Sequence, residues 1–109
     1  MITYSDIIKL FSFQSEEDFC IEIEFSVNGY PEYQSCFMGK TPNKTEKNKW
    51  IFWYGLASDG TKSFNYDNID DFSAAPIFDG KSLKEIFSKI NILSIDGCDP
   101  EYRINFYIS

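Results

Sequence analysis

The sequence contains no histidine, and this absence excludes a large group of catalytic and metal-binding mechanisms. Ser-His and Cys-His catalytic pairs need an imidazole as their general base, and histidine is the commonest metal ligand in proteins. The three cysteines, at positions 20, 36 and 98, are an odd number without a CxxC spacing. They predict neither a zinc site nor a disulfide framework, so we expect reduced thiols and no metal or cofactor.

Glycine-rich phosphate loops are also missing. Gly80-Lys81-Ser82 matches the end of a P-loop, but Ala75 occupies the position of its first glycine. Pro76 interrupts the strand that should precede such a loop. We interpret Ser82 instead as the N-cap of a helix, because Glu85 completes an S-x-x-E capping box.

Positive charge is scarce, with 10 lysine and arginine residues against 17 acidic ones and a net charge of -7. Nucleic acids and anionic membranes attract basic proteins, so the sequence predicts that neither is a partner. No signal peptide begins the sequence and no apolar run is long enough to span a membrane, which predicts a cytoplasmic protein. The one basic concentration, around Lys40, Lys44, Lys47 and Lys49, is interpreted as the exposed tip of a hairpin.

Apolar periodicity predicts the secondary structure of one domain spanning residues 1–109, of which 43% are hydrophobic. A helix near the N-terminus, capped by Thr3 or Ser5, has an apolar face around Leu10. The segment Phe19–Val27 alternates strictly and predicts a strand with Cys20, Glu22, Glu24 and Ser26 facing water. The predicted elements that follow are a turn at Asn28-Gly29, a strand over Tyr33–Met38, a loop over Gly39–Asn48, and a strand over Lys49–Leu56.

The second half of the chain is predicted in the same way. A tight turn at Ser58–Thr61 leads to a strand over Lys62–Tyr66, and Asp67–Gly80 is predicted to be irregular. A helix follows Ser82, and a hairpin of Ile92–Ile95 and Tyr102–Ile108 closes the chain. The order is therefore α-β-β-β-β-α-β-β. We predict an α+β fold, an antiparallel sheet of about five to six strands with two helices packed on one face.

Acidic side chains are the remaining candidates for catalysis or metal binding. Most aspartates lie in turn-like contexts, where the carboxylate bonds to nearby backbone, and none follows the spacing of an EF-hand. Two converging carboxylates would be needed for a carboxylate hydrolase. We therefore predict no catalytic residues and no metal site, and keep a carboxylate hydrolase as the least favoured hypothesis.

The aromatic residues, 18% of the chain, give the strongest functional signal. One hairpin carries several of them, and a sheet covered on a single face has no room to bury them all. Exposed tryptophan and tyrosine beside acidic residues favour a protein-binding surface, although a purely structural role in the core is the alternative. The predicted partner-binding residues are Trp53 and Tyr54 as anchors, and Asp59, Asp67, Asp70, Asp71 and Asp79 as the charges that steer a basic protein.

In length, acidity, lack of histidine and aromatic content, the chain resembles the small cytoplasmic immunity proteins with which bacteria neutralise secreted toxins. The resemblance implies a non-catalytic protein that binds a basic protein partner. The alternative function is a small-ligand module with an aromatic-lined pocket between sheet and helices. A free edge strand would also leave homodimer formation open.

Overall fold

The computed structural model describes residues 2–13, 20–47, 49–57 and 61–108. In chain order the helices and strands are α1 (Tyr4–Ser12), β1 (Ile21–Val27), β2 (Cys36–Pro42), β3 (Trp50–Gly55), β4 (Ser63–Tyr66), α2 (Ile69–Ala74), α3 (Leu83–Ile86), β5 (Ile90–Ile95) and α4 (Pro100–Ile108). Short 3-10 turns cover Pro31–Tyr33 and Phe87–Lys89. The predicted α+β class with an antiparallel sheet is confirmed.

The five strands form one antiparallel sheet in the order β4-β3-β2-β1-β5. The alternation predicted for β1 is confirmed, since Ile21, Ile23, Phe25 and Val27 are all fully buried. The pairing of Ile23 with Met38, and of Met38 with Tyr54, places all three side chains on the same face of the sheet. Phe19, where the predicted strand begins, lies outside the described residues.

The helices pack on that same face. Ile7, Leu10 and Phe11 of α1, Phe72 of α2 and Ile104 of α4 join the strand residues in one buried cluster. Aromatic contacts join the helices to the sheet: the Phe11 ring of α1 meets the Phe52 ring of β3 at 6.4 Å between centroids, nearly perpendicular. We call this side of the sheet the closed face.

Capping boxes set the starts of two helices. The Thr3 hydroxyl accepts the amide of Asp6 at 3.1 Å and the Asp6 carboxylate accepts the amide of Thr3 at 2.9 Å. These bonds lower the pKa of Asp6 below its ordinary value. The predicted box at Ser82 and Glu85 is likewise confirmed, and it lowers the pKa of Glu85.

The C-terminal prediction was wrong. Tyr102–Ile108 belongs to helix α4 rather than to a strand, and β5 pairs with β1 instead. The alternating apolar pattern does not match its burial, because Ile104 is 6% exposed whereas Tyr102 and Phe106 are 65% and 64% exposed. Pro100 at the first helical position and the Asp99 carboxylate, which accepts the amide of Tyr102 at 3.1 Å, favour a helix start.

Two other boundaries differ from the prediction. The segment Asp67–Gly80 is not wholly irregular, because Asn68 caps the short helix α2 by accepting the amide of Asp71 at 2.8 Å. Strand β2 starts later than predicted and runs to Pro42, so the first residues of the predicted loop belong to the sheet. The register places Cys36 and Lys40 on the closed face, where both are buried.

Four helices lie in the described part of the chain, rather than the two predicted. None of those described is long and apolar enough to cross a membrane.

Candidate partner-binding surface

The opposite side of the sheet, which we call the open face, has none of the described helices packed on it. Its residues alternate with those of the closed face along every strand. Phe37, Ile51 and Trp53 lie here, and none of them belongs to the buried cluster of the closed face. All three are half-buried, so the open face presents partly exposed apolar surface.

The Trp53 ring lies at the centre of this face, over a neighbouring glycine that has no side chain. In the strand register, Gly39 of β2 lies opposite Trp53, and Asn65 of β4 lies on its other side. A Cβ atom on Gly39 would lie 2.5 Å from Cζ2 of Trp53, and it would also collide with the Ile21 carbonyl oxygen. The indole ring therefore occupies the space that any other residue at position 39 would fill.

The apolar strip formed by Phe37, Ile51 and Trp53 is bordered by acidic residues on β1. Glu22 pairs with Gly39 and Glu24 pairs with Phe37, so both carboxylates share the open face with the strip. Glu22 is exposed, and Glu24 lies 3.5 Å from the Ser94 hydroxyl of β5. The sequence identified these glutamates as water-facing, but we did not assign them to the binding surface.

Tyr54, the second predicted anchor, does not lie on this surface. It is 1% exposed, and its ring stacks on Phe72 at 4.1 Å between centroids. Its hydroxyl donates to the Phe72 carbonyl oxygen at 2.8 Å, and burial raises the pKa of the phenol. Tyr54 therefore joins β3 to α2 within the core and is not available to a partner.

The predicted acidic residues that the structure describes are exposed and lie on different elements. Asp70 and Asp71 lie in the first turn of α2, which packs on the closed face through Phe72. Asp67 follows β4 directly, and Asp79 occupies a separate turn with φ of 56°. Asp59 lies outside the described residues.

Lys40 is a residue whose environment the sequence interpretation missed. It is 1% exposed, its Nζ donates to the Phe13 carbonyl oxygen at 2.6 Å, and it lies 4.5 Å from the Trp50 ring centroid. Burial lowers the pKa of the amine to about 8. The signal was present in the sequence, because Lys40 continues the alternation of Cys36 and Met38.

Polar contacts at the turn after β5 fasten α4 to the sheet. One Asp96 carboxylate oxygen accepts Nε of Arg103 at 3.0 Å and the Tyr107 hydroxyl at 2.9 Å. The other accepts the amide of Glu22 at 2.9 Å. The same residue therefore ties the end of β5, the start of β1 and the last helix together.

A groove of about 360 Å³ lies along β5, where Phe87, Asp99 and Glu101 are among its lining residues. Asp99 and Glu101 are two candidate carboxylates in one concave site. Both are exposed, and Asp99 already caps α4. A carboxyl group that serves as general acid is instead held in an apolar environment.

The cysteines lie apart from one another and are all unpaired. Cys36 is buried on the closed face, and burial raises its pKa to about 11, which suppresses the reactive thiolate. Cys20 is exposed, 3.4 Å from the Thr41 hydroxyl. Within the described residues, no group of three or more acidic or cysteine side chains could hold a metal ion.

Comparisons with protein-family models, with curated proteins and with solved structures find no match to this chain.

Proposed function

We propose that this protein is a non-catalytic binding module that docks a basic protein partner on the open face of its sheet. The observation that carries the proposal is the position of Trp53, a half-buried indole fixed against Gly39 on a face without a described helix. Tryptophan is among the residues that most often dominate binding energy at protein interfaces. Phe37 and Ile51 extend the apolar area on either side of it.

Charge supports the choice of partner. Glu22 and Glu24 border the apolar strip, and the chain as a whole carries a net charge of -7. A surface of this kind attracts lysine and arginine around a central apolar contact, and the attraction weakens as salt is added. Neutralisation of a basic toxin by an immunity-type protein is one biological role that fits this chemistry.

The alternative, an aromatic-lined ligand pocket between sheet and helices, gains less support. The Tyr54 and Phe72 rings of this layer are in direct stacking contact, and Tyr54 also meets Phe78 edge to face at 5.5 Å. The groove along β5 has one aromatic lining residue, Phe87.

The proposal is tested by affinity capture with four baits in parallel: the wild type, Trp53→Ala, the Glu22→Gln/Glu24→Gln double variant, and Trp50→Ala. Trp50 is the matched control, since it lies on the same strand but points to the closed face beside Lys40. We expect the wild-type and Trp50→Ala baits to retain a basic protein at low salt. The other two baits should fail to retain it. Equal capture by all four baits would show that the open face is not the docking surface.

A further inference from the structure

Strand β5 forms one edge of the sheet, and among the described strands it pairs with β1 alone. It has six residues, whereas β4 at the opposite edge has four. Its middle residues are exposed or half-buried, including Leu93 at 48% exposure. Of the two edges of the sheet, this one is the longer, and an added strand from another chain could pair with it.

The hydrogen-bond register identifies which backbone groups of β5 point outward. The Asn28 amide donates to the Lys89 carbonyl oxygen at 2.7 Å, so Lys89 and, two residues on, Asn91 face β1. The N–H and C=O of Ile90 and Ile92 consequently point away from β1. The Ile90 amide bonds to the Phe87 carbonyl oxygen, but no described residue bonds to the outward groups of Ile92.

The groove adjoins these outward groups. Its lining includes Ile90, Asn91 and Ile92 of the strand, together with Asp99, which precedes α4, and Glu101 in the first turn of α4. Both acids are exposed and add negative charge where a neighbouring chain would lie. Arg103, the cation nearest to them along the chain, forms an ion pair with Asp96 at 3.0 Å.

We propose that the outer edge of β5 binds an extended protein segment rich in lysine or arginine, which adds to the sheet as a further strand. Main-chain hydrogen bonds to Ile92 provide affinity, and the groove receives one side chain of the segment beside Asp99 and Glu101. The β-bulge between Glu24 and Phe25, opposite Leu93, interrupts the regular register. The added strand is therefore short, and pairs along the stretch that precedes the bulge.

A second copy of this chain fits the edge less well than a basic segment. Two copies paired along β5 would bring the acidic groove rims together, and each chain carries a net charge of -7. Like charges in such a position oppose association. The β5 edge is also distinct from the open face, so it can bind a segment whether or not Trp53 docks a partner.

The test is a nuclear magnetic resonance titration of the isotope-labelled protein with a capped peptide of alternating valine and lysine. We expect saturable, salt-sensitive shifts of the backbone amides from Ile90 to Leu93 and of the amides of Asp99 and Glu101. The same peptide with glutamate in place of lysine should produce none. Shifts confined to the open face, or no saturable shift at all, would overturn the proposal.

Variants separate the contribution of the main-chain hydrogen bonds from that of the acidic side chains. Ile92→Pro removes an N–H that does not bond to β1, so the edge should still form, yet we expect about tenfold weaker peptide binding. Asp99→Asn/Glu101→Gln retains a cap for α4, because asparagine caps as well as aspartate, and should weaken binding of the lysine peptide several-fold.

Glu32→Gln/Glu46→Gln is the matched control, because it removes two exposed charges that do not line the groove, and it should leave the peptide affinity unchanged. If Ile92→Pro does not fold, the Asp99→Asn/Glu101→Gln variant and the pattern of amide shifts still test whether the peptide binds at the β5 edge. Unaltered affinity of the charge variant would contradict the proposal. So would β5 shifts that depend on protein concentration without peptide, because they would identify a second copy as the occupant.

Discussion

Gly39 is the residue on which the position of Trp53 depends. Glycine is required at this position because a Cβ atom would collide with the indole ring and the Ile21 carbonyl oxygen. The backbone conformation does not require it. Gly55 provides a natural comparison, because a Cβ added there would lie 3.8 Å from the same indole ring, an ordinary contact distance.

We predict that Gly39→Ala lowers the free energy of unfolding by about 1–3 kcal/mol, the usual cost of overpacking, and displaces the Trp53 ring. Urea unfolding and the tryptophan emission maximum measure these two effects. Gly55→Ala is the matched control and should change neither by a comparable amount. A Gly39→Ala protein with wild-type stability and emission would show that the ring does not rest on Gly39.

Lys40 shows how local sequence can mislead at the scale of a residue. It lies within a lysine-rich, proline-containing stretch, which predicts an exposed loop. Strand β2 nevertheless runs through it to Pro42, and the amine is enclosed by the Phe13 carbonyl oxygen and the Trp50 ring. The cost of burying a cation is reflected in the lowered pKa of about 8.

This pKa makes a prediction about stability and pH. Between pH 8 and 10.5 the unfolded chain holds a proton on Lys40 that the folded protein has lost, so the free energy of unfolding rises with pH in that window. The rise is limited to about 3 kcal/mol by the size of the shift. Below pH 8 both states are protonated, and Lys40 contributes no slope.

The measurement is urea unfolding of the wild type and Lys40→Met from pH 7 to about pH 10, compared as a difference so that tyrosine ionisation cancels. We expect the wild type to gain stability relative to Lys40→Met as the pH rises. The exposed Lys44→Met is the control and should track the wild type. A constant difference between wild type and Lys40→Met would mean that Lys40 keeps an ordinary pKa.

At the scale of elements, the sequence predicted best where local signals and burial agree. The alternation of Ile21, Ile23 and Phe25 and the capping box of Ser82 with Glu85 both describe the structure correctly. Helix α4 was missed because its apolar residues alternate like those of a strand. Its true start depends on Asp99 and Pro100, and its position depends on contacts far away in the sequence.

Asp96 supplies those contacts, so α4 should depend on it. We predict that Asp96→Ala lowers the free energy of unfolding by about 1–3 kcal/mol, because its bonds to Arg103, Tyr107 and the Glu22 amide are lost together. Hydrogen exchange should accelerate most in α4. Tyr107→Phe removes one of these bonds and should have a smaller effect, whereas equal exchange in all three proteins would contradict this account.

At the scale of the whole molecule, the sheet has one face closed by helices and one open. The sequence predicted that aromatic residues exceed what one face can bury, and it named Trp53 and Tyr54 together as anchors. Trp53 lies outside the buried cluster, whereas Tyr54 belongs to it. The sequence could not show which of the two side chains points to the open face, because this depends on the register of β3 against β2 and β4. For the same reason it favoured aspartates in loops over Glu22 and Glu24, which become neighbours of the strip only through strand pairing.

The central claim is that Trp53 on the open face anchors a basic partner. Its most direct test is the dissociation constant of the captured partner, measured by calorimetry for wild type, Trp53→Ala and Trp50→Ala, each confirmed to be folded. A central anchor predicts a loss of about 2–4 kcal/mol for Trp53→Ala and little change for Trp50→Ala. Equal dissociation constants for the wild type and Trp53→Ala would contradict the account.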